Sequence, residues 1–535
     1  MTKIITSKKL STALPELNIK WLKFILILVL CLGIIFRFTN IDRKVYWIDE
    51  VHTSLRSSGY SRTEFVDLAP ENSLISIEDL QKFQKIHPDR NLWMGIKALA
   101  SSEHSPLYYF LARLGMEAWG SSIFVTRIVA AFISLLAFPL IYLLALELFA
   151  DRLTGWIAVA LLAISPFHLL YAQEAREYSL LTFTILLSCL TFLKAVKNNT
   201  RNSWLLYSFS FALSLYAHSL AILVAIGHGV YLFLNRELVK QKLKLNYGIS
   251  ILLGILLFSP WIAVLIFNDD GVGQWTERHI AFGVWLQRCL LNLSSIFFDV
   301  QASYPERLFD VETGVDPSLD WTNPITYLII PLVGSIIYSC YFLRNTSKSS
   351  YLFIWCLIAS TAITLSLPDL LISGQRSTVG RYITAVYLGI ELAVAYCLSI
   401  NIRSSGYKNS WKLITASLII LGVWCCGSIV QADTWWNKYS SYYNPQVAEI
   451  IDRSSNPLVI SSTEKISRLT SLSYALQAKT KFILFPEETT SIDLPSGFSD
   501  IYVFRPDDKL VEAIQNDPRY KIEEIYPTGH LWQVK

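Results

Sequence analysis

Charge is what this chain has least of. Only 16% of its 535 residues are Asp, Glu, Lys or Arg, against 53% hydrophobic, which is too little polar surface to cover a protein of this size in water. Apolar runs near the roughly 20 residues that cross a hydrocarbon core recur through the first four-fifths. That pattern predicts an all-α polytopic membrane protein. The net charge of +4 gives no argument for nucleic-acid binding; where the Lys and Arg fall matters more. The chain has no internal repeat and no H-E-x-x-H or similarly spaced ligand set, so a protein-built metal site is not indicated, and no Gly-rich phosphate loop occurs after Asp433. Of eight cysteines, Cys31, Cys189, Cys340, Cys356, Cys397, Cys425 and Cys426 sit in apolar runs and Cys289 alone in a loop. A thiol in such a run behaves as a small hydrophobe, and neither a disulfide framework nor a Cys-ligated metal is expected. The N-terminal apolar run lacks a small-x-small cleavage site and reads as an uncleaved first span.

Eleven spans are predicted, at about 21–38, 122–149, 154–171, 178–195, 203–217, 219–235, 246–267, 322–343, 351–371, 381–400 and 411–431. One set of connections is short and basic: the N-terminal tail, Lys194/Lys197/Arg201, Arg236/Lys240/Lys242/Lys244, Arg344/Lys348 and Arg403/Lys408/Lys412. The positive-inside rule makes these cytoplasmic, with an inside N-terminus and an outside C-terminus; the expected location is the plasma (inner) membrane. The Asp151-Arg152 turn falls on the same side. The other set comprises 39–121, 172–177, the Ala217-His218 turn, 268–321, 372–380 and everything after 432. Residues 106–119 carry Arg113 and Glu117 and read as a helix lying at the outer interface. Within the outer loops, 74–87 and 279–298 have the rhythm of amphipathic helices that would roof a cavity. After Asp433, strands at 457–462, 481–486, 501–506 and 520–526 alternate with helices at 463–477 and 507–516. The expected organisation is a multi-span unit, 1–432, followed by a small extracytoplasmic α/β domain, 433–535.

Four polar constellations fall on the outer side. Asp49-Glu50, in Y-W-I-D-E, reads as a general base or charge stabiliser for a hydroxyl attacking a sugar carbon, or as a solvated loop acid or helix-start cap. Glu103-His104 precedes a helix-starting Pro106, suiting a hydroxylated or phosphorylated ligand or simply a turn with interfacial tyrosines. Gln173, Glu174, Arg176, Glu177 and Tyr178 crowd a short turn between two apolar runs, where charges are costly unless paired or functional. Arg376 and Arg381-Tyr382 put two guanidiniums on the outer side, against the positive-inside bias, as an anionic lipid phosphate would require. His218 lines the site or packs at the interface. His168 and His228 read as structural, and Glu391, mid-span, needs a partner the sequence does not name.

At these residues the chain resembles the polyprenyl-phosphate-sugar-dependent glycosyltransferases of the GT-C superfamily, nearest the bacterial branch related to protein O-mannosyltransferases and lipid A aminoarabinose transferase. The matching parts are Asp49-Glu50 after span one, E-H-S-P-L-Y-Y, R-I-V-A-A-F entering the second span, and S-P-F-H-L-L-Y-A-Q-E-A-R-E-Y, similar to the family's S-P-x-x-x-x-Y-x-Q-E-A-R-x-Y. They cover roughly residues 20–235, with Arg381-Tyr382 matching a later R-Y element. The resemblance implies inverting transfer of a sugar from a polyprenyl phosphate to an acceptor hydroxyl on a protein, glycolipid or glycopolymer. Asp49 is then the base with Glu50 beside it, and Glu103, His104, Gln173, Glu174, Arg176 and Tyr178 line the sugar–phosphate pocket. Divalent-cation dependence differs across the superfamily and is left open. Two other classes remain: a transporter, against which the missing repeat counts, and a lipid-linked oligosaccharide polymerase or ligase.

Overall fold

The computed structural model describes residues 16–102, 104–235, 241–266, 274–299 and 319–535. A helix occupies each of the eleven ranges predicted to span. Among the described residues, seven helices are long and apolar enough to cross a bilayer, and an eighth joins them if the bent pair Arg152–Ala163 and Pro166–Ala172 is one span. The remaining three are shorter: Phe24–Phe38, Ala221–Leu234, and Arg201–Ala217. The last is cut to 17 residues by a capping box at Thr200 and by the extended backbone of His218. The chain is a multi-span helical membrane protein carrying a C-terminal mixed sheet.

The span expected at 154–171 is bent by 57°. Pro166 lacks an amide hydrogen and biases Ser165 out of the helix, whose ψ is 120°. The carbonyls freed at the break are taken up by neighbours. Arg37 donates from Nη1 to Ala163 (2.7 Å) and from Nη2 to Leu162 (3.2 Å), and Cys426 Sγ donates to Ile164. Ser165 Oγ donates to Ile296 at 2.7 Å. Gly33 lets the first helix approach this break, because a Cβ there would stand 2.5 Å from the Ala163 oxygen. Gly33→Leu is expected to cost about 1–3 kcal/mol of overpacking, read as a lower unfolding temperature in detergent.

The two sets of connections sort to separate ends of the bundle. In the basic set, Arg403 pairs with Asp151, Lys197 with Glu147 at 2.6 Å, and Tyr396 donates to Asn345. In the other, Arg381 meets Asp49, Arg176 meets Tyr109, and Trp436 meets Asp299. The Leu107–Trp119 helix lies in this second set and is bound into the protein through Arg113, which donates to Ser57, Arg90 and Glu117.

The helix expected over 74–87 is shorter, Ile77–Gln81 with a 3-10 turn Lys82–Gln84. Ser76 and Asp79 form a capping box that starts it late, and Ile75 is extended, bridging Phe482 of the C-terminal sheet. Its apolar face therefore does not meet lipid. Leu80 and Phe83, with Leu55, Tyr60 and Phe65, share one core with Val447, Leu469 and Phe482. The second amphipathic stretch is helical over Phe282–Ser294.

The four predicted strands are present as β1 (Pro457–Ser462), β2 (Lys481–Phe485), β3 (Asp500–Phe504) and β4 (Ile522–Tyr526). The two predicted helices are Ile466–Ser473 and Asp508–Gln515, and a fifth strand, β5 (Leu531–Val534), was not anticipated. The sheet runs β2-β1-β3-β5-β4. β1 pairs parallel with β2 and β3, and β5 antiparallel with β3 and β4. Strand alternation makes it two-sided: Val459 and Tyr502 pack with the Ile466–Ser473 helix, Leu458 and Val503 with the Asp508–Gln515 helix.

Candidate functional site

The Ile48–Ser57 helix puts Asp49 and Glu50 in its first turn, where the helix dipole favours acids. Trp47, at the N-cap, makes no side-chain cap bond, so neither acid is there as a cap. Successive residues on a helix point about 100° apart, which gives the two carboxylates different surroundings.

Asp49 faces a cavity of about 430 Å³. It is the one carboxylate among the described lining residues, against four guanidiniums, Arg278, Arg288, Arg381 and Arg468. Arg381 Nη2 stands 3.5 Å from Asp49 Oδ2, and its guanidinium lies 5.6 Å from the Trp47 and Tyr178 rings. Trp47, Tyr171, Trp436 and Tyr439 supply aromatic walls. Such a cavity combines an anion-attracting rim, apolar faces for a sugar ring or lipid, and one proton acceptor.

Glu50 points the other way and is fully buried. Arg127 grips both its oxygens at 2.7 Å, the Ala175 amide donates to it at 2.8 Å, and Lys438 lies at 3.2 Å. Burial alone would raise its carboxyl; Arg127 and Lys438 overcome that and hold it at about 2. Lys438 also reaches Glu174 at 3.1 Å, as does Asn437 Nδ2. Burial and the neighbouring Glu50 charge push Glu174 upward. Gln173 is a staple, accepting from Lys44 Nζ at 2.7 Å and donating to the carbonyls of Phe36 and Thr39.

Arg176 is buried between the helices, donating from Nη1 to Tyr109, Thr53 and the Asp49 carbonyl, and from Nη2 to Glu177 at 3.1 Å. Glu177, despite burial, is held below the usual carboxylate range by Arg176. It sits 3.5 Å from His104 Nδ1. His104, Glu177, Tyr178, His218, Arg376 and Tyr382 line a second cavity of about 190 Å³. Burial lowers both imidazoles to about 4, helped at His104 by Arg176, so both are neutral at physiological pH. Arg376 is engaged with Glu277 at 2.9 Å and Asp369 at 3.5 Å. Arg381 lies over Tyr178 and, at 5.8 Å, over Tyr382, forming a wall between the cavities.

The predicted residues thus divide. Asp49 and Arg381 line the larger cavity; His104, Tyr178, His218, Arg376 and Tyr382 line the smaller one. Glu50, Gln173, Glu174 and Arg176 hold the frame, and Glu103 lies outside the described residues. His168 Nε2, 3.3 Å away, is the partner of Glu391. Among the described residues, no three His, Cys, Asp or Glu side chains gather as a metal cluster would. Sequence reasoning missed Arg278, Arg288, Trp436, Lys438 and Arg468, and gave Arg127, the first residue of R-I-V-A-A-F, no role. The signal available for Lys438 was its place in W-W-N-K-Y, directly after the last apolar run.

Residues 103–263 match the model of the dolichyl-phosphate-mannose-protein mannosyltransferase family. No curated protein matches the chain in sequence. In fold it is similar to ArnT from Cupriavidus metallidurans. The apo crystal structure gives a TM-score of 0.55 at 10% identity over 97% of this chain and 98% of that one. The same protein bound to undecaprenyl phosphate gives 0.52 at 10% identity, over 96% and 98%. The apo oligosaccharyltransferase of Archaeoglobus fulgidus, at 0.41 and 14% identity over 83% and 65%, is too distant to carry an argument. At such identities the likeness concerns the fold alone. The segment 103–263 is therefore similar to the dolichyl-phosphate-mannose-protein mannosyltransferase family, and the whole chain shares its fold with ArnT.

Proposed function

We propose that this protein moves a sugar from a polyprenyl-phosphate donor to an acceptor hydroxyl at the outer face of the membrane, with inversion at the anomeric carbon. The observation that carries the reading is Asp49, one carboxylate facing four guanidiniums at the charged end of a membrane bundle. In this reading the acceptor oxygen attacks the anomeric carbon and gives its proton to Asp49. The bond from that carbon to the phosphate oxygen breaks, and its electron pair leaves with the polyprenyl phosphate. Arg381, with Arg288 and Arg278, receives the charge that develops there, the contribution an enzyme gains most from building. Nucleophile and leaving group on opposite faces of the sugar give inversion in one displacement.

Glu50, saturated by Arg127, Ala175 and Lys438, acts as a positioning residue that fixes the helix bearing Asp49. The orientation follows from the basic connections gathering at the other end. The test is an assay of the reconstituted protein with polyprenyl-phosphate monosaccharides, scored for release of polyprenyl phosphate. Arg381→Gln is expected to lower kcat/KM by about 100-fold, as loss of one charge-stabilising donor does. Release by the wild type that is no faster than in empty liposomes would overturn the reading, and movement of intact donor across the bilayer would favour a transporter.

A further inference from the structure

A third cavity, of about 430 Å³, lies in the C-terminal sheet domain and shares Arg468 with the Asp49 cavity. Its position follows from topology. The helix after β1 (Ile466–Ser473) leads to β2 on one side, and the helix after β3 (Asp508–Gln515) leads toward β4 on the other. The two helices pack on opposite faces of the sheet. β1 and β3 are parallel neighbours, so a crevice opens at their carboxyl ends where the connections diverge, the place where open α/β sheets bind ligands. The cavity is lined from those ends: Lys465 and Arg468 after β1, Arg505, Asp508 and Glu512 after β3, and Trp532 of β5.

Three further observations bear on what it takes. First, the backbone at its rim is strained: Arg505 and His530 both adopt left-handed φ, 49° and 51°. The Arg505 amide donates to the His530 carbonyl at 2.8 Å, tying the two together. Non-glycine residues held this way carry backbone strain and cluster at binding sites. Second, the lining is balanced, with Lys465, Arg468 and Arg505 against Asp508, Glu512 and Glu524. Donors and acceptors in equal supply suit vicinal hydroxyls, and the carboxylates repel a polyanion. Trp532 is half-buried opposite Glu524 on β4; its ring offers an electron-rich face to the C–H side of a sugar.

Third, the crevice is joined to the catalytic cavity. Arg468 lines both, and Arg505 Nη2 donates to the carbonyl of Ser440, which lines the catalytic cavity. We infer that the crevice at the carboxyl ends of β1 and β3 is an acceptor subsite that holds the neutral saccharide part of a glycan acceptor while its hydroxyl reaches Asp49. The inference rests on the glycosyl-transfer reading for its purpose, and it commits to a carbohydrate rather than a polypeptide acceptor.

The test uses the full-length protein in nanodiscs, probed with a glycan array of neutral and anionic oligosaccharides, with a peptide library, and separately with undecaprenyl phosphate. Neutral oligosaccharides are expected to bind the wild type, with affinity falling about tenfold in Trp532→Ala. Glu512→Gln, on an exposed side chain, is expected to weaken binding too without disturbing packing. Undecaprenyl phosphate binding should be the same in all three. Absence of neutral-glycan binding, equal binding in both variants, or a response to anionic glycans or peptides alone overturns the subsite. Failure of the wild type to bind undecaprenyl phosphate strikes instead at the glycosyl-transfer reading, whatever the glycans do.

Discussion

Asp49→Asn is expected to abolish sugar transfer while leaving insertion and folding intact. The amide keeps the size of the carboxylate and its place beside Arg381, 3.5 Å away, but cannot take a proton. Loss of a positioned base typically costs about 10²- to 10⁴-fold. No other carboxylate lines the cavity among the described residues, so nothing nearby substitutes and the upper end of that range is expected. The measurement is turnover of polyprenyl-phosphate monosaccharide by the reconstituted variant, alongside its unfolding temperature. Near-normal turnover by a well-folded Asp49→Asn variant would remove Asp49 from the chemistry. The corresponding amide variant of Glu50, Glu50→Gln, is expected to behave differently, losing stability along with activity.

Arg127→Met is expected to cost about 3–5 kcal/mol, the usual penalty for stranding a buried charge. Both oxygens of Glu50 lose their 2.7 Å partner, and Lys438, already shared with Glu174, cannot satisfy both acids. Most of the variant should be lost to aggregation in detergent, and replacing Glu50 with Met as well should recover part of the stability. A single Arg127→Met variant that melts within a degree or two of the parent would show the cluster to be incidental. The pH dependence carries the same signature. Glu50 ionises near 2 when folded, against an ordinary 4.5. Its contribution is therefore whole above pH 4.5 and fades as the pH falls toward 2, by about 3 kcal/mol in all. Glu174, pushed upward, works with the opposite sign: its share is present below its ordinary value and lost as pH rises through its folded value.

The membrane class, the division of the connections into two sets and the C-terminal strands were readable from residues because each rests on a local property. A run of apolar residues is a span candidate wherever it packs, a Lys- or Arg-rich connection biases its own side, and the alternation after Asp433 marks strands by itself. The 57° break at Ser165 was written in Pro166 but passed over, since apolarity continued across it. β5 was missed because L-W-Q-V is too short to show alternation, and it forms by pairing with β3 and β4.

What the residues could not say was how differently the two adjacent acids are surrounded. Asp49 and Glu50 are equivalent in a string; only the packed Arg127, Ala175 and Lys438, far apart in the chain, turn one inward and leave the other in the cavity. Likewise the docking of Ile75 on Phe482, and the placing of Arg468 between the Asp49 cavity and the sheet crevice, join segments hundreds of positions apart. Local sequence determines what each segment prefers. Which charges end up paired, and which stay available to a ligand, depends on long-range contacts, because desolvation and Coulomb attraction act only between groups the fold has already brought together.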